Sequence, residues 1–600
     1  MREFSLPARY EVAADASLPE LLRINAERHP DVAVIARAVD GGWEDVSATR
    51  FRAEVRAVAK GLLAAGVRPG ERVGLMSRTR YEWTLFDFAI WTVGAITVPV
   101  YETSSAEQVA WNLKDSGAVA VLVETEEHRA AVESVRDQLP ELSRVWCLVP
   151  GEGAGAVAEL TAAGSDVPDA ELDAATATLT PDSPATVIYT SGTTGRPKGC
   201  VLTHRAFLSV CGNVVAALGP LFHTGDSSVL LFLPLAHVFA RMVEVAALLA
   251  PITLGHVPDV RSLTDDLASF RPTIVLGVPR VFEKVYNSAR AKARDERKLW
   301  IFDRAADTAT AYSRALDTPR GPSPALRLRH RLFDRLVYRR LRAVLGGRAT
   351  HAISGGAPLG ERLGHFYRGI GFTVLEGYGL TETCAPTAFN PWDAPRIGTV
   401  GRPVPGTAVR VEDDGEVLVT GEHLFSGYWG GEHADDERTP DGWFRTGDLG
   451  SLDEDGYLTL TGRKKEILVT AGGKNVAPAV IEDRVRAHPL IAECMVVGEG
   501  RPFVGALITL DDEFLPRWVA EQGLQALPRA EVLRHPKLLA AVQEAVDQGN
   551  AAVSRAESVR AFRVLPEQFT EDSGHLTPSL KLKRHVVAKD FAGEIDALYD

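Results

Sequence analysis

The stretch TVIYTSGTTGRPKGCVLTHRAFLSV, residues 186–210, passes from a strand-like run through a loop of hydrogen-bond donors into a helix-like run. TVIYT mixes β-branched and aromatic residues, as a buried strand does, and Thr203 is placed to cap the helix HRAFLSVCGNVVAAL. Between them stand Thr190, Ser191, Gly192, Thr193, Thr194, Gly195, Lys198 and Gly199. Glycines let the backbone curl until its N–H groups face an anion, hydroxyls add donors and lysine adds charge. The segment therefore reads as a phosphate loop. It lacks GxxxxGK[ST] and so is not a Walker A loop.

The same alternation continues outward. From residue 17 to 135, amphipathic patches such as FRAEVRAVAKGLLAAGV and YEWTLFDFAIWTVGA alternate with the short β-rich runs RVGLMS, ITVPVY and AVAVLVE. That pattern predicts an α/β fold with mainly parallel strands. GEGAGAVAELTAAGSDVPDA (151–170) reads as a surface loop. Between about 284 and 345, two arginine-rich segments around the break TPRGPSP predict a pair of amphipathic basic helices. Two readings of that insertion stay open: a solvated helical face packed on the body, or a peripheral surface attracted to anionic lipid. A composition shift after SLDEDGYLTLTG (451–462) predicts a boundary near 460, dividing a large multi-subdomain unit (1–460) from a small mobile α+β domain (461–600) in which Pro478 opens a helix.

The chain has 600 residues, 66 basic and 79 acidic, a net charge of −13 and 45% hydrophobic content. These values fit ordinary globular composition and argue against a dedicated nucleic-acid binder, which needs a basic footprint. Cys147, Cys200, Cys211, Cys384 and Cys494 form no CxxC pair and no disulfide framework, which suits a reducing cytoplasm. The amino-terminal segment lacks the apolar run of a signal peptide. FAIWTVGAITVPV (88–100) contains Pro99, and VFARMVEVAALLAPITLGHV (238–257) contains Arg241 and Glu244. Neither supplies the ~18 to 20 uncharged residues of a spanning helix. A cytoplasmic protein is expected, with contact at the inner face of a membrane following from the second reading of the insertion.

YTSGTTGRPKG resembles the signature of the AMP-forming acyl-adenylate superfamily, which includes acyl-CoA synthetases, luciferases and peptide-synthetase adenylation domains. LPLAHVF (233–239), SGGAPL (354–359), EGYGLTET (376–383), FRTGDLG (444–450), GRKKEILVTAGGKNVAP (462–478) and LTPSLKLKR (576–584) match the family in order, so the resemblance spans almost the whole chain. It implies ATP and coenzyme A as co-substrates and Mg²⁺ as cofactor. Tyr378 would offer its ring to adenine, with Gly355, Gly356, Ala357, Glu376, Gly377 and Gly379 around the nucleotide. Asp448 and Arg463 would take the ribose, Thr381 and the 190–198 loop the phosphates, and Glu382 with Thr193 the metal. Lys581 would be the carboxy-terminal catalytic lysine, although Leu580 stands before it where much of the superfamily has glycine. Its neighbours Lys583, Arg584 and His585 read as a solvated basic patch.

The resemblance also implies two steps, adenylation and thioester formation, with the small domain rotating between them. Lys465 matches the hinge, and Gly472, Gly473 and Lys474 would face the coenzyme A side after rotation. The insertion and the wording of LPLAHVFARMVE, ISGGAPL and GYGLTETC resemble long-chain fatty acyl-CoA synthetases most. The acyl tunnel should then run near 234–245 and 273–280, with His237 beside the acid's carboxylate and Phe239 at the mouth. A gating tryptophan found in some bacterial relatives is absent from this neighbourhood. The expected function is an ATP-dependent long-chain fatty acid:CoA ligase. The alternative is a fatty acyl-AMP ligase that passes its product to a carrier protein. Chain length and oligomeric state are left open.

Overall fold

The computed structural model describes residues 2–190, 196–431, 437–577 and 581–600. Among these residues the large domain is built on three sheets. The first contains the strand Pro184–Thr190, flanked by Ile96–Val100 on one side and by Lys198–Thr203 on the other. Its strands Arg72–Met76, Ile96–Val100, Ala120–Thr125 and Arg144–Val149 run parallel. The second sheet places Thr373–Leu380, His351–Ser354, Ile274–Gly277, Ser228–Leu231 and Thr253–His256 side by side, again in parallel. The third is antiparallel, ordered Glu3–Ser5, Thr407–Val411, Glu416–Gly421, Phe444–Leu452, Leu458–Arg463. This is the α/β architecture expected from strands alternating with amphipathic helices.

Helices Tyr81–Thr92, His204–Ala217 and Val238–Leu249 are buried around most of their circumference and fill the space between the first two sheets. That placement explains the charges inside the apolar stretch 238–257. Arg241 is wholly buried and holds both oxygens of Asp87, at 2.7 Å each, and donates to Thr186 Oγ1 at 2.6 Å. Its guanidinium lies 5.2 to 5.7 Å from the ring centroids of Trp83, Trp91 and Phe207. The neighbouring Glu244 is pushed well above its usual pKa by burial and by Asp87, which favours the neutral acid. Among the described residues no helix is long and apolar enough to cross a membrane.

Two local expectations are corrected. The segment 151–170 is not one loop: Ala156–Ala163 is a helix and Asp169 begins another, Asp169–Thr176. Alanine favours helix strongly, and packing completes the choice, because a Cβ on Gly61 would sit 2.1 Å from the Leu160 carbonyl. The first arginine-rich segment is two helices, Pro279–Asp295 and Leu299–Leu316, broken at Arg297 with φ 58° and no glycine or proline to announce it. A third insertion helix, Pro324–Phe333, continues through a π turn at Asp334–Tyr338 into Arg339–Val344.

Strand Leu458–Arg463 still pairs with Phe444–Leu452, so the large domain's sheet runs a few residues past 460. The small domain beyond it packs helices Pro478–Arg486 and Pro536–Asn550 on the sheet Ile491–Val497, Val504–Leu510, Val559–Val564. Pro478 occupies the first turn of its helix.

Candidate active site

Motifs hundreds of residues apart meet because they follow adjacent strands. LPLAHVF follows Ser228–Leu231, SGGAPL begins at the end of His351–Ser354, and GYGLTET closes Thr373–Leu380. All leave from the carboxyl ends of one sheet, where open parallel sheets bind ligands. Phe239 lies against Gly355, and Gly355 against the carbonyl of Gly377, which joins the first two motifs to the third. Gly356 and Ala357 are exposed on the loop between them. Glu376 does not face the open cleft with its carboxyl: Oε1 accepts from the Leu359 N–H at 2.8 Å and ties the SGGAPL loop in place. Burial pushes that carboxyl up to about 7.

Strand Thr373–Leu380 turns sharply after Leu380. Thr383 Oγ1 accepts from the Leu380 N–H at 2.8 Å and donates to the Ala385 carbonyl, while Cys384 and Ala385 hold positive φ values of 49° and 77°. Non-glycine residues in this region store strain that packing must hold. Gly379 is obligatory here, since a Cβ would lie 1.6 Å from the Ala385 carbonyl oxygen. The turn carries Thr381 and Glu382, both half-buried.

Tyr378, Asp448 and Arg463 form one wall. The Tyr378 hydroxyl donates to Asp448 Oδ2 at 2.5 Å, and Arg463 Nε donates to Asp448 Oδ1 at 2.8 Å. Asp448 and Arg463 are paired across the strands Phe444–Leu452 and Leu458–Arg463. Both carboxylate oxygens are thus aimed, and burial with the Asp448 charge raises the Tyr378 pKa far above its usual value, so the phenol stays a donor.

Glu382 Oε1 accepts from the Tyr428 hydroxyl at 2.9 Å. Lys198, at the start of the strand after the phosphate loop, stands 4.7 Å from the Tyr428 ring centroid and 3.7 Å from Glu437 Oε1. Thr190 is paired with Lys198 across the hairpin. Ser191, Gly192, Thr193, Thr194 and Gly195 lie outside the described residues. Glu382 is pushed up by burial, partly offset by the Tyr428 bond. Glu437 joins this group as a second carboxylate that the motifs did not single out, since it lies in no family signature.

Lys581 comes from the other domain. Its backbone accepts from the Thr577 N–H at 2.8 Å and donates to Thr577 Oγ1 at 3.0 Å. The side chain stands at the cleft, open to solvent yet crowded: surrounding protein and then Arg463 lower its pKa, while Asp448, Glu382 and Glu466 oppose the shift. His237 caps helix Val238–Leu249, with Nδ1 accepting from the Phe239 N–H at 3.2 Å. Burial and then the Lys581 charge pull its pKa down to about 4. A neutral ring whose Nδ1 accepts must carry its proton on Nε2, which leaves one donor.

Arg584 is corrected from a solvated position. It pairs with Glu482 and lies 3.6 Å from Glu466, fastening the Lys581 segment to helix Pro478–Arg486. Lys465 is exposed in the turn Lys464–Glu466 between the two domains, while Lys464 beside it holds Asp414 at 2.6 Å and Glu416 at 3.0 Å on the large domain. Gly472, Gly473 and Lys474 form an exposed hairpin whose partners lie in the small domain, Lys474 being 3.5 Å from Glu557. A small apolar cavity of about 20 Å³ lies among Met242, Val243 and Ala246 of helix Val238–Leu249 and Ile274, Leu276 and Ile353 of the second sheet.

Residues 22–429 match the model of the AMP-binding enzyme family, and residues 465–600 that of the AMP-binding enzyme C-terminal domain. The chain is 51% identical to the long-chain-fatty-acid–CoA ligase FadD15 of Mycobacterium bovis, over 100% of both chains. Its identity to the human long-chain-fatty-acid–CoA ligase ACSBG1 is 29%, over 96% of this chain and 84% of the other. ATP-bound MatB from Rhodopseudomonas palustris shares the fold with a TM-score of 0.69 at 24% identity, covering 96% of this chain and 99% of that one. A Mycobacterium tuberculosis fatty acyl CoA synthetase shares it with a TM-score of 0.62 at 21% identity and the same coverage, 96% and 99%.

Proposed function

The chain belongs to the AMP-binding enzyme family, and we propose on that footing that it is a long-chain fatty acid:CoA ligase that uses ATP and works through an acyl-AMP intermediate. The observation that carries this reading is the meeting of Lys581 with the Tyr378, Asp448 and Arg463 wall, in a chain 51% identical end to end to a long-chain-fatty-acid–CoA ligase. Its five cysteines are free and buried, which suits a reducing cytoplasm.

A carboxylate does not yield to a thiol at neutral pH, because oxide or hydroxide would have to leave. In the first step a carboxylate oxygen attacks the α-phosphorus of ATP, the bond to pyrophosphate breaks, and a mixed anhydride remains. In the second the thiol sulfur, its proton lost, attacks the carbonyl and AMP leaves. Both reactants of the first step are anions, so rate depends on donors and cations fixed where charge gathers. Asp448, held by Tyr378 and Arg463, receives the ribose hydroxyls. Lys581 offsets charge developing between carboxylate and phosphate, and His237 offers Nε2–H to the carboxylate. Magnesium, when bound, draws charge from the phosphate oxygens. Glu382 would hold it through a hard carboxylate oxygen.

Met242, Val243, Ile274 and Leu276 fall within the segments expected for an acyl tunnel and line an apolar cavity of about 20 Å³, which an acyl chain would have to widen. After adenylation the small domain turns about Lys465, withdrawing Lys581 and bringing the Gly472 to Lys474 hairpin to the coenzyme A side. The test is AMP and acyl-CoA production with acids from acetate to stearate. Thioester formation peaking at long chains is expected. Accumulated acyl-AMP without thioester would transfer the acceptor role to a carrier protein.

A further inference from the structure

The third insertion helix has two apolar faces where a helix packed on one body needs one. The inner face is accounted for: Phe333, Tyr338 and Leu341 are buried, and Tyr312 stacks on His330 with ring centroids 3.9 Å apart. On the outer face Leu328, Leu332 and Leu336 are 71%, 54% and 49% exposed. Their spacing of four puts them on one ridge. At 100° per residue, Arg329 borders Leu328 and Leu332 on one side and Arg331 on the other. Arg327, Arg335, Arg339 and Arg340 are exposed as well. The helical run holds a single carboxylate, Asp334, which is engaged by Arg339 at 3.1 Å and Arg342 at 2.8 Å. A leucine ridge hemmed by arginines, in a chain of net charge −13, is a concentrated exception to the protein's own charge.

We propose that this face, Leu328, Leu332 and Leu336 with their flanking arginines, docks the protein on an anionic lipid bilayer, the leucines entering the acyl boundary and the guanidinium groups engaging phosphate headgroups. Charge complementarity selects the occupant. An apolar groove on a protein would take the leucines but leave the surrounding arginines without counter-charge, whereas an anionic bilayer meets both. The proposal stands on this surface and not on the ligase reading, and it can succeed or fail independently of it.

The test is co-sedimentation of the full chain with vesicles of phosphatidylcholine mixed with phosphatidylglycerol, compared with phosphatidylcholine alone, in the absence of fatty acid. Binding to the anionic vesicles, weakened by salt, is expected. Leu328→Ser/Leu332→Ser/Leu336→Ser and, separately, Arg329→Glu/Arg331→Glu should each lower the bound fraction at least about tenfold. Circular dichroism checks folding, and turnover of a freely soluble short acid should stay at the parent rate in both variants. Equal binding to neutral and anionic vesicles, or unchanged binding by the folded variants, overturns the proposal. A change from dimer to monomer in the leucine variant with vesicle binding intact would reassign the face to a second copy of the chain.

Discussion

The two sides of the cleft are held in opposite ways. On the large domain, Tyr378, Asp448 and Arg463 bond to one another at 2.5 and 2.8 Å and sit on sheet strands, so their geometry is set before any ligand arrives. The other side, which carries Lys581, belongs to a domain docked on the first insertion helix largely through partly exposed ion pairs. Arg294 meets Glu521 at 2.5 Å, Arg517 meets Asp295 at 2.6 Å, Lys284 meets Glu513 at 3.2 Å and Arg280 approaches Glu493 at 3.8 Å. Exposed pairs contribute ~0.2 to 1 kcal/mol each, enough to orient a domain and little enough to release it. Three of the five basic residues of the first insertion helix, Arg280, Lys284 and Arg294, are thus spent on the small domain, not on solvent. On the proposed two-step reaction this is a division of labour: binding is preorganised on one side, and the charge that would come and go is on the side proposed to move.

The largest effect should come from the movable side. Lys581→Ala should slow adenylation by ~10² to 10³, about 3 to 4 kcal/mol, and spare thioester formation from preformed acyl-AMP. Stopped-flow measurement of the two half-reactions checks it, and equal losses in both would end the distinction between the sides. The lysine's lowered pKa adds a pH signature. Only the protonated amine offsets charge, so adenylation should be flat at low pH and fall as pH rises through the lowered pKa, before an ordinary lysine would titrate. Lys581→Arg should abolish that limb.

On the fixed side, Asp448→Ala removes the ribose acceptor and leaves Arg463 unpaired. Loss of charge-assisted hydrogen bonds of about 1.5 to 3 kcal/mol should raise the ATP KM roughly 10- to 150-fold. Calorimetric titration with ATP checks this without turnover. Lys465→Pro, which restricts φ at the turn, should leave adenylation near the parent rate and slow thioester formation about tenfold or more. Parent rates in both steps would remove Lys465 from the hinge.

Smaller still is the docking charge. Arg294→Glu with Arg517→Glu should reduce adenylation a few-fold, by about 0.5 to 1 kcal/mol, and the parent enzyme should drift the same way in high salt. Last comes Glu376→Gln, nearly silent below neutral pH because the buried acid, pushed up to about 7, is already uncharged there. A raised carboxyl pKa means the native state loses stability as pH climbs from the unfolded value of about 4.3 towards 7. Thermal melts of the Gln variant should lose that component of the pH dependence.

Much of the site was readable because it is composed of local signatures. Thr203 does cap its helix, accepting from the Ala206 N–H at 3.1 Å, and Pro478 does open its own. Capping and strand composition act within a few residues, so the chain's local order carries them. The misses share a different cause. Arg584 looks solvated beside Lys583 and His585 until Glu482, 102 residues away, is folded against it. The bond from the Leu359 N–H to Glu376, 17 residues on, likewise appears only once the two strand ends are side by side. The break at Arg297 has no turn residue to mark it, and the helices in 151–170 needed the close approach of Gly61 to Leu160.

By itself, the sequence determined the α/β alternation, the order of the motifs and the residue types the chemistry requires, since backbone propensity and functional groups are properties of short segments. Tertiary structure alone decided that strands distant in sequence lie side by side, and so deliver LPLAHVF, SGGAPL and GYGLTET to one sheet end. It also decided that Asp448 has both oxygens engaged, that the first insertion helix docks a domain while the third keeps a leucine ridge exposed, and that Lys581 stands across the cleft from Arg463. The physical reason is that burial and hydrogen-bond pairing depend on which surfaces meet, and surfaces meet through contacts that no short window of sequence contains.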